Sequence, residues 1–298
     1  MDWQQFVMNL ETLSPASVEE ILIRHGAQSI TFSDAGDRPV LEPGPGETPL
    51  WARTRITGLF EPGADMAGLL ADLQTTLELD ELPEHRLETL ADRDWEREWL
   101  KDFKPVRFGR RLWVCPAGSR PAQHDAVVVR LDPGLAFGTG THATTAMCLE
   151  WLDSLDLAGK SLLDYGCGSG VLAIAALKLD GEHAHAMDID PQAVLATRLN
   201  AAANGVQERL TVCGSANDIA GYFDVVVANI LAGPLAELAA GITRYLRPGG
   251  QLGLSGILSE QADDVREAYA RWVEFDEPEF RVQDGQTWTR LTGSRRHS

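Results

Sequence analysis

The stretch that most limits what this chain can fold into is LLDYGCGSGVLAIAALKL, residues 162–179. An apolar run ends at Asp164, glycines follow at alternate positions (Gly166, Gly168 and Gly170), and an apolar helical run starts directly after them. Such a run suits a strand covered on both faces, as in a parallel sheet flanked by helices. The turn needs glycine for two reasons. A ligand approaches the backbone where a Cβ would collide, and the helix must pack close to the strand. Taken alone, the turn fits a dinucleotide, a nucleoside or no ligand at all.

Its surroundings extend the pattern. From 161 onward, strand-like runs (SLLDYG, HAHAMDID, LTVCG, DVVVANI, QLGLSGI) are mostly separated by helical ones (GVLAIAALKL, PQAVLATRLNAAANG, PLAELAAGITRYL, EQADDVREAYARWV). This predicts a doubly wound, Rossmann-like α/β sheet. In YLRPGGQLG, Pro248 and Gly249 suit a type II turn and read as architecture.

Two features narrow the ligand. The spacing is G-x-G-x-G and lacks the G-x-G-x-x-G of dinucleotide binders. Asp188 closes the next strand, 22 residues after Gly166, where a carboxylate accepts hydrogen bonds from both ribose hydroxyls. An adenosine without a pyrophosphate, beside a parallel sheet, points to S-adenosylmethionine. Asp190 either shares that role or caps the helix beginning at Pro191. Asn229 ends the DVVVAN strand, on the side where open α/β sheets place ligands. Its amide suits a substrate amine or the methionine part of the cofactor, unless it only shapes the turn.

The first hundred residues read differently. WQQFVMNL, SITFSD and TRITGLF are strand-like, SPASVEEILIRHG is a helix capped by Ser14, and DMAGLLADLQTTLEL is a second helix. This is the order of a small α+β, split-βαβ (ferredoxin-like) domain. Residues 1–100 carry 20 Asp and Glu against 7 Arg and Lys. Such a surface repels nucleic acid and attracts a basic protein, or merely aids solubility. DRDWEREWLKDFKP places Trp95 and Trp99 on one helical face, for docking on a domain or for contact with a partner helix or base. RLWVCP and AVVVRLDP add two strands. The domain organisation expected is 1–90 for substrate recognition, 91–110 as a linker helix and 111–298 for cofactor binding and catalysis.

Other chemistries are excluded by what the residues lack. No run reaches the roughly 18 apolar residues of a membrane span. Cys115, Cys148, Cys167 and Cys213 lie far apart without a CxxC, which fits free thiols in a cytoplasmic protein. The seven histidines show no metal-ligand spacing, so no metal is expected, and His142 reads as a buried or capping residue. GLSGI lacks the G-x-S-x-G of a nucleophile elbow.

LDPGLAFGTGTHATT, DYGCGSGVLAIAA, DIDPQAV, NILAGPL and LSGIL together resemble the PrmA family of bacterial ribosomal protein methyltransferases. ITFSD, PGET and DWEREW extend the resemblance to the front of the chain. The resemblance implies a class I S-adenosylmethionine-dependent methyltransferase sheet, with cofactor contacts at Thr145, Gly166, Asp188 and Asn229. It also implies methylation of the N-terminal α-amine and lysine side chains of one large-subunit ribosomal protein, recognised by the front domain. Asn229 is then the candidate for positioning the amine. NILA departs from the Asn-Pro-Pro-aromatic signature of many amine methyltransferases and so lacks an aromatic clamp. The glycine- and threonine-rich loop before Thr145 is expected to fold over the methionine end. Phe137, Gly138, Thr139, Gly140 and Thr141 lie nearby, as do Asp164 and Gly168. A monomer is expected, with a basic protein partner and neither nucleic-acid nor membrane binding. Competing readings are a methyltransferase for a nucleic-acid base or another protein, a nicotinamide-dependent oxidoreductase, and a non-catalytic nucleoside-binding module.

Overall fold

The computed structural model of the protein describes residues 3–34, 53–90, 104–116, 118, 119, 121, 123, 125–131 and 142–297. The chain divides into two compact units, Met1–Glu98 and Trp99–Ser298.

In the first unit the order is β1 (Trp3–Asn9), α1 (Pro15–Arg24), β2 (Ala27–Asp34), β3 (Thr54–Phe60), α2 (Met66–Thr76) and β4 (His85–Leu90). The antiparallel sheet runs β2-β3-β1-β4, the split βαβ arrangement. Ser14 caps α1, accepting from the Ser17 N–H at 3.4 Å, with Pro15 at the first helical position. On β3, Thr54, Ile56, Gly58 and Phe60 are buried while the residues between them are partly exposed. The inner face packs Phe6, Met8, Ile56 and Phe60 against Ile21, Leu22, Leu69 and Leu73 of the helices. Gly58 is required mid-strand, because a Cβ there would lie 2.8 Å from Leu22 Cδ2. Strand β4 was not foreseen. Its polar sequence, HRLETL, is that of an exposed edge strand with one neighbour, β1.

The second unit opens with a small sheet of β5 (Val106–Phe108), β6 (Leu112–Pro116) and β7 (Val127–Leu131). The linker helix expected over 91–110 lies outside the described residues as far as 103, with Trp95 and Trp99. Over 106–108 the chain is a strand, which corrects that expectation. Gly109 takes a left-handed φ of +68° to turn β5 back onto β6. The buried Asp153 carboxylate then accepts the backbone N–H groups of Arg110 and Arg111.

There follow α3 (Ala143–Ser154), β8 (Ser161–Tyr165), α4 (Val171–Lys178), β9 (His183–Met187), α5 (Pro191–Ala203), β10 (Leu210–Cys213) and β11 (Phe223–Asn229). After these come α6 (Ala232–Glu237), α7 (Ala239–Thr243), β12 (Leu246–Leu258), α8 (Ala262–Tyr269), β13 (Val273–Phe275), β14 (Glu279–Gln283) and β15 (Gln286–Arg295). The main sheet runs β10-β9-β8-β11-β12-β15-β13, with β14 paired to β15. Strands β8 to β12 are mutually parallel, and β13, β14 and β15 are antiparallel additions that the sequence reading left unassigned. The helix expected over 234–246 is two short helices parted at Leu238. Asp190 caps α5 through the Gln192 N–H at 2.8 Å, and Gly249 carries φ +75° in its turn. Among the described residues, no helix is long and apolar enough to cross a membrane.

Strand order reverses between β8 and β11, and the two are locked in register at their starts. Asp224 Oδ2 accepts from the backbone N–H of Ser161 at 2.9 Å and from its hydroxyl at 2.7 Å. Small residues bring layers close: a Cβ on Gly253 of β12 would lie 2.4 Å from Trp151 of α3. All four cysteines are buried free thiols.

Asn204, which ends α5, joins that helix to β7. Its Oδ1 accepts the Arg130 N–H at 2.7 Å, and its Nδ2 donates to the Arg130 carbonyl at 2.6 Å. Asn204→Ala leaves a backbone donor and an acceptor unpaired. We expect a loss of about 2–4 kcal/mol in urea unfolding, with Asn204→Asp intermediate because it keeps only the acceptor. A loss within 0.5 kcal/mol of zero, roughly the scale of a neutral surface change, would mean that water replaces this link.

Candidate functional site

The reversal of strand order puts the carboxyl ends of β8 and β11 side by side, where open α/β sheets leave a crevice. The glycine turn after β8 forms its floor. Gly166, Gly168 and Gly170 have φ of +79°, +53° and +77°, a conformation that other residues adopt only at a cost. The turn is held from three sides. The N–H groups of Gly166 and Cys167 donate to the Met187 carbonyl at the end of β9, at 2.8 and 3.0 Å. Asp188 Oδ2 accepts the Gly168 N–H at 2.8 Å. From α5, Thr197 donates to the Gly168 carbonyl and Asn200 to that of Ser169, each at 2.9 Å.

A cleft of about 210 Å³ opens above this turn. Of the residues expected from sequence, Thr145, Gly166, Gly168, Asp188 and Asn229 all line it. Cys167, Val171, Leu172 and Ile230 line it as well and were not singled out, although three of them lie within the motif itself. Phe137, Gly138, Thr139, Gly140 and Thr141 fall outside the described residues. A wider hollow of about 460 Å³ beside Arg110, Arg111 and Asp125 lies at the other end of α3, remote from the strand ends.

Each polar group at the cleft is oriented by a neighbour. Asn229 Nδ2 donates to the buried Thr145 hydroxyl at 3.1 Å, which leaves the amide oxygen to accept from a ligand. The Asp188 carboxylate receives one backbone N–H on each oxygen, from Gly168 and from Asp190 at 3.0 Å, and keeps lone pairs for further donors. His142 caps α3 through the Thr144 N–H and meets the Trp288 ring edge-on at 4.7 Å. These contacts give it an architectural part, and partial burial lowers its imidazole pKa below the ordinary value.

Asp164 does not line the cleft. It lies beneath the turn, 1% exposed, with Oδ2 accepting the Ala173 N–H at 3.1 Å. Burial pushes its carboxyl up to about 7, and the nearby Asp188 charge adds to this against the Ala173 bond. Burial also pushes the Cys167 thiol up, so it stays protonated.

A carboxylate, an amide oxygen, exposed turn backbone and the apolar walls of Val171, Leu172 and Ile230 suit a nucleoside with an uncharged or cationic extension. No cationic side chain faces the cleft among the described lining residues, so a pyrophosphate would meet Asp188 without compensation.

Comparison with known proteins agrees over nearly the whole chain. The family model described as Ribosomal protein L11 methyltransferase (PrmA) matches residues 2–296. A ribosomal protein L11 methyltransferase of Pseudomonas paraeruginosa is 51% identical over 297 residues, covering 99% of each chain. That of Erwinia tasmaniensis is 52% identical over 300 residues, covering 99% of this chain and 100% of the other. A crystal structure of ribosomal protein L11 methylase from Lactobacillus delbrueckii subsp. bulgaricus superposes with a TM-score of 0.59 at 33% identity. It covers 65% of this chain and 100% of that one.

The raised carboxyl of Asp164 has a thermodynamic consequence. A carboxyl whose folded pKa lies above its unfolded value stabilises the fold below the unfolded value of 3.8, and that contribution is lost as pH rises towards about 7. Asp164→Asn is neutral throughout. The melting temperature of the parent should therefore fall relative to the variant between about pH 4 and pH 7, and run parallel to it above. A difference that does not change with pH would show that the carboxyl ionises as freely as in the unfolded chain.

Proposed function

The chain belongs to the ribosomal protein L11 methyltransferase family, and from that premise we propose that it methylates amino groups of one large-subunit ribosomal protein. The acceptors are the N-terminal α-amine and lysine side chains, and the donor is S-adenosylmethionine. The observation that carries this reading is the meeting of Thr145, Gly166, Asp188 and Asn229 at one cleft.

The residues fit the donor. Asp188 takes the ribose hydroxyls on its remaining lone pairs, and the glycine turn admits the nucleoside close to the backbone. Asn229 and Thr145 face the methionine end and the incoming amine. When bound, S-adenosylmethionine supplies a methyl group on a cationic sulfur, open to in-line displacement by a neutral amine.

The chain's own task is alignment. Holding the nitrogen about 3–3.5 Å from its target makes the transfer effectively unimolecular. A free lysine is protonated near neutral pH and must first give up a proton. In this reading Asp188 is committed to two backbone N–H groups and to the ribose hydroxyls, and Cys167 stays protonated. The proton therefore leaves through the cleft to solvent.

The front unit recognises the substrate, and its acidic balance suits a basic partner and opposes nucleic acid. The enzyme works as a monomer in the cytoplasm.

Mass spectrometry of ribosomal proteins incubated with enzyme and S-adenosylmethionine should show added methyl groups on amines of one protein. Methylation of RNA alone would overturn the reading. Asp188→Ala should weaken donor binding at least tenfold by calorimetry, since each lost charge-assisted hydrogen bond is worth about 1.5–3 kcal/mol. Unchanged affinity in a folded variant would reassign the ribose contact. For recognition, kcat/KM on the whole substrate should fall as salt rises and the Debye length shortens from about 10 Å at 0.1 M towards about 3 Å at 1 M. Changing Glu78, Asp80, Glu81 and Glu84 to their amides should flatten that slope, and equal slopes would make the acidic run a mere solvated surface.

A further inference from the structure

Ile230 follows Asn229 directly and is pinned between Gly166, in the turn after β8, and Gly256 of β12, β8 and β12 being the strands that flank β11. On the β8 side, a Cβ on Gly166 would lie 2.3 Å from Ile230 Cγ2, so the side chain rests on the floor of the turn. On the β12 side, Gly256 has φ +88°, and a Cβ there would lie 2.2 Å from the Ile230 carbonyl oxygen and 3.2 Å from its nitrogen. The backbone of Ile230 is thus pressed against one glycine and its side chain against another. Neither position admits a larger residue without displacing it. Being β-branched, Ile230 also has restricted χ1 freedom. The result is a fixed aliphatic wall of the cleft, adjacent to the amide that Thr145 orients.

We propose that Ile230 is a positioning residue for the acceptor nitrogen, and that its share of the task grows as the nitrogen is methylated. The inference rests on the reading of the cleft as an amine methyltransferase site. A neutral primary amine has two N–H groups and gives one to the Asn229 amide oxygen while its lone pair faces the donor. As the N–C bond forms, the C–S bond breaks, sulfur keeps the electron pair and a proton passes from nitrogen to water. A monomethylated amine retains one N–H. A dimethylated amine has none, so Asn229 has nothing to accept, and a third transfer yields a quaternary ammonium without proton loss. Only apolar contact then holds the nitrogen in line, and Ile230 supplies that contact beside Asn229.

The test compares two acceptors with the full-length enzyme at saturating S-adenosylmethionine: the unmodified substrate protein, and the same protein chemically dimethylated at its amines. Transfer of labelled methyl is followed by mass spectrometry. For Ile230→Ala, the rate on the dimethylated acceptor should fall at least tenfold, and that on the unmodified acceptor no more than about threefold. Asn229→Ala should show the opposite order. Ile230→Val should recover most of the lost rate, and it carries the same comparison with a smaller ratio if the alanine variant does not fold. Equal losses on both acceptors would reduce Ile230 to packing and overturn the proposal, as would failure of the parent to modify the dimethylated acceptor. Failure of the parent to modify any amine would instead overturn the reading of the site.

Discussion

A turn of left-handed glycines has little of its own to hold it. Beyond one internal bond, from the Gly170 N–H to the Cys167 carbonyl at 2.8 Å, its rigidity is supplied from outside: the Met187 carbonyl at the end of β9, the Asp188 carboxylate just beyond it, and two side chains of α5. These tethers reach both faces of the turn's peptide groups, donors and acceptors alike. Asp188 therefore serves twice, since the carboxylate that fixes Gly168 is also the one that faces the cleft. The floor of the site and its principal charge are set by a single hydrogen-bonded unit. The neighbouring helix and strands are placed by the need to reach it.

The electrostatics follow from the same crowding. Asp164 lies near the end of β8 and Asp188 just beyond the adjacent parallel strand β9, and burial falls almost wholly on the first. The buried carboxyl rises towards neutrality, which spares the fold a second full negative charge beneath the ligand. One carboxyl pairs with the Ala173 N–H at the start of α4, and the other stays available at the surface of the cleft. Two residues of one type thus play different parts because their solvation differs.

Much of this was legible in the sequence because the relevant signals are local. Glycines at 166, 168 and 170, an acid 22 residues on, and the caps Ser14 and Asp190 are each read within a few positions. What was missed depends on partners far along the chain. Strand β4 is a polar edge, and its pairing with β1 leaves no periodic mark. The β14–β15 hairpin did carry one: Asp284 and Gly285, both at positive φ (51° and 76°), form the Asp-Gly turn that favours a hairpin. Ile230, an aliphatic residue after a buried strand, reads in the sequence as core. Its place is visible only from the glycines that abut it, 64 residues before and 26 after it in sequence.

The late hairpin has a consequence for the order in which the enzyme comes into being. Strand β15 inserts between β12 and β13, Gln283 at the end of β14 accepts the Ala143 N–H at the start of α3, and Trp288 meets the ring that caps that helix. The glycine turn and its carboxylate leave the ribosome about a hundred residues before these contacts do. The first turn of α3, which carries Thr145, is made before the glycine turn, yet its outer supports come from the last strands of the chain. One side of the cleft therefore waits for nearly the whole sequence to emerge before its contacts can form.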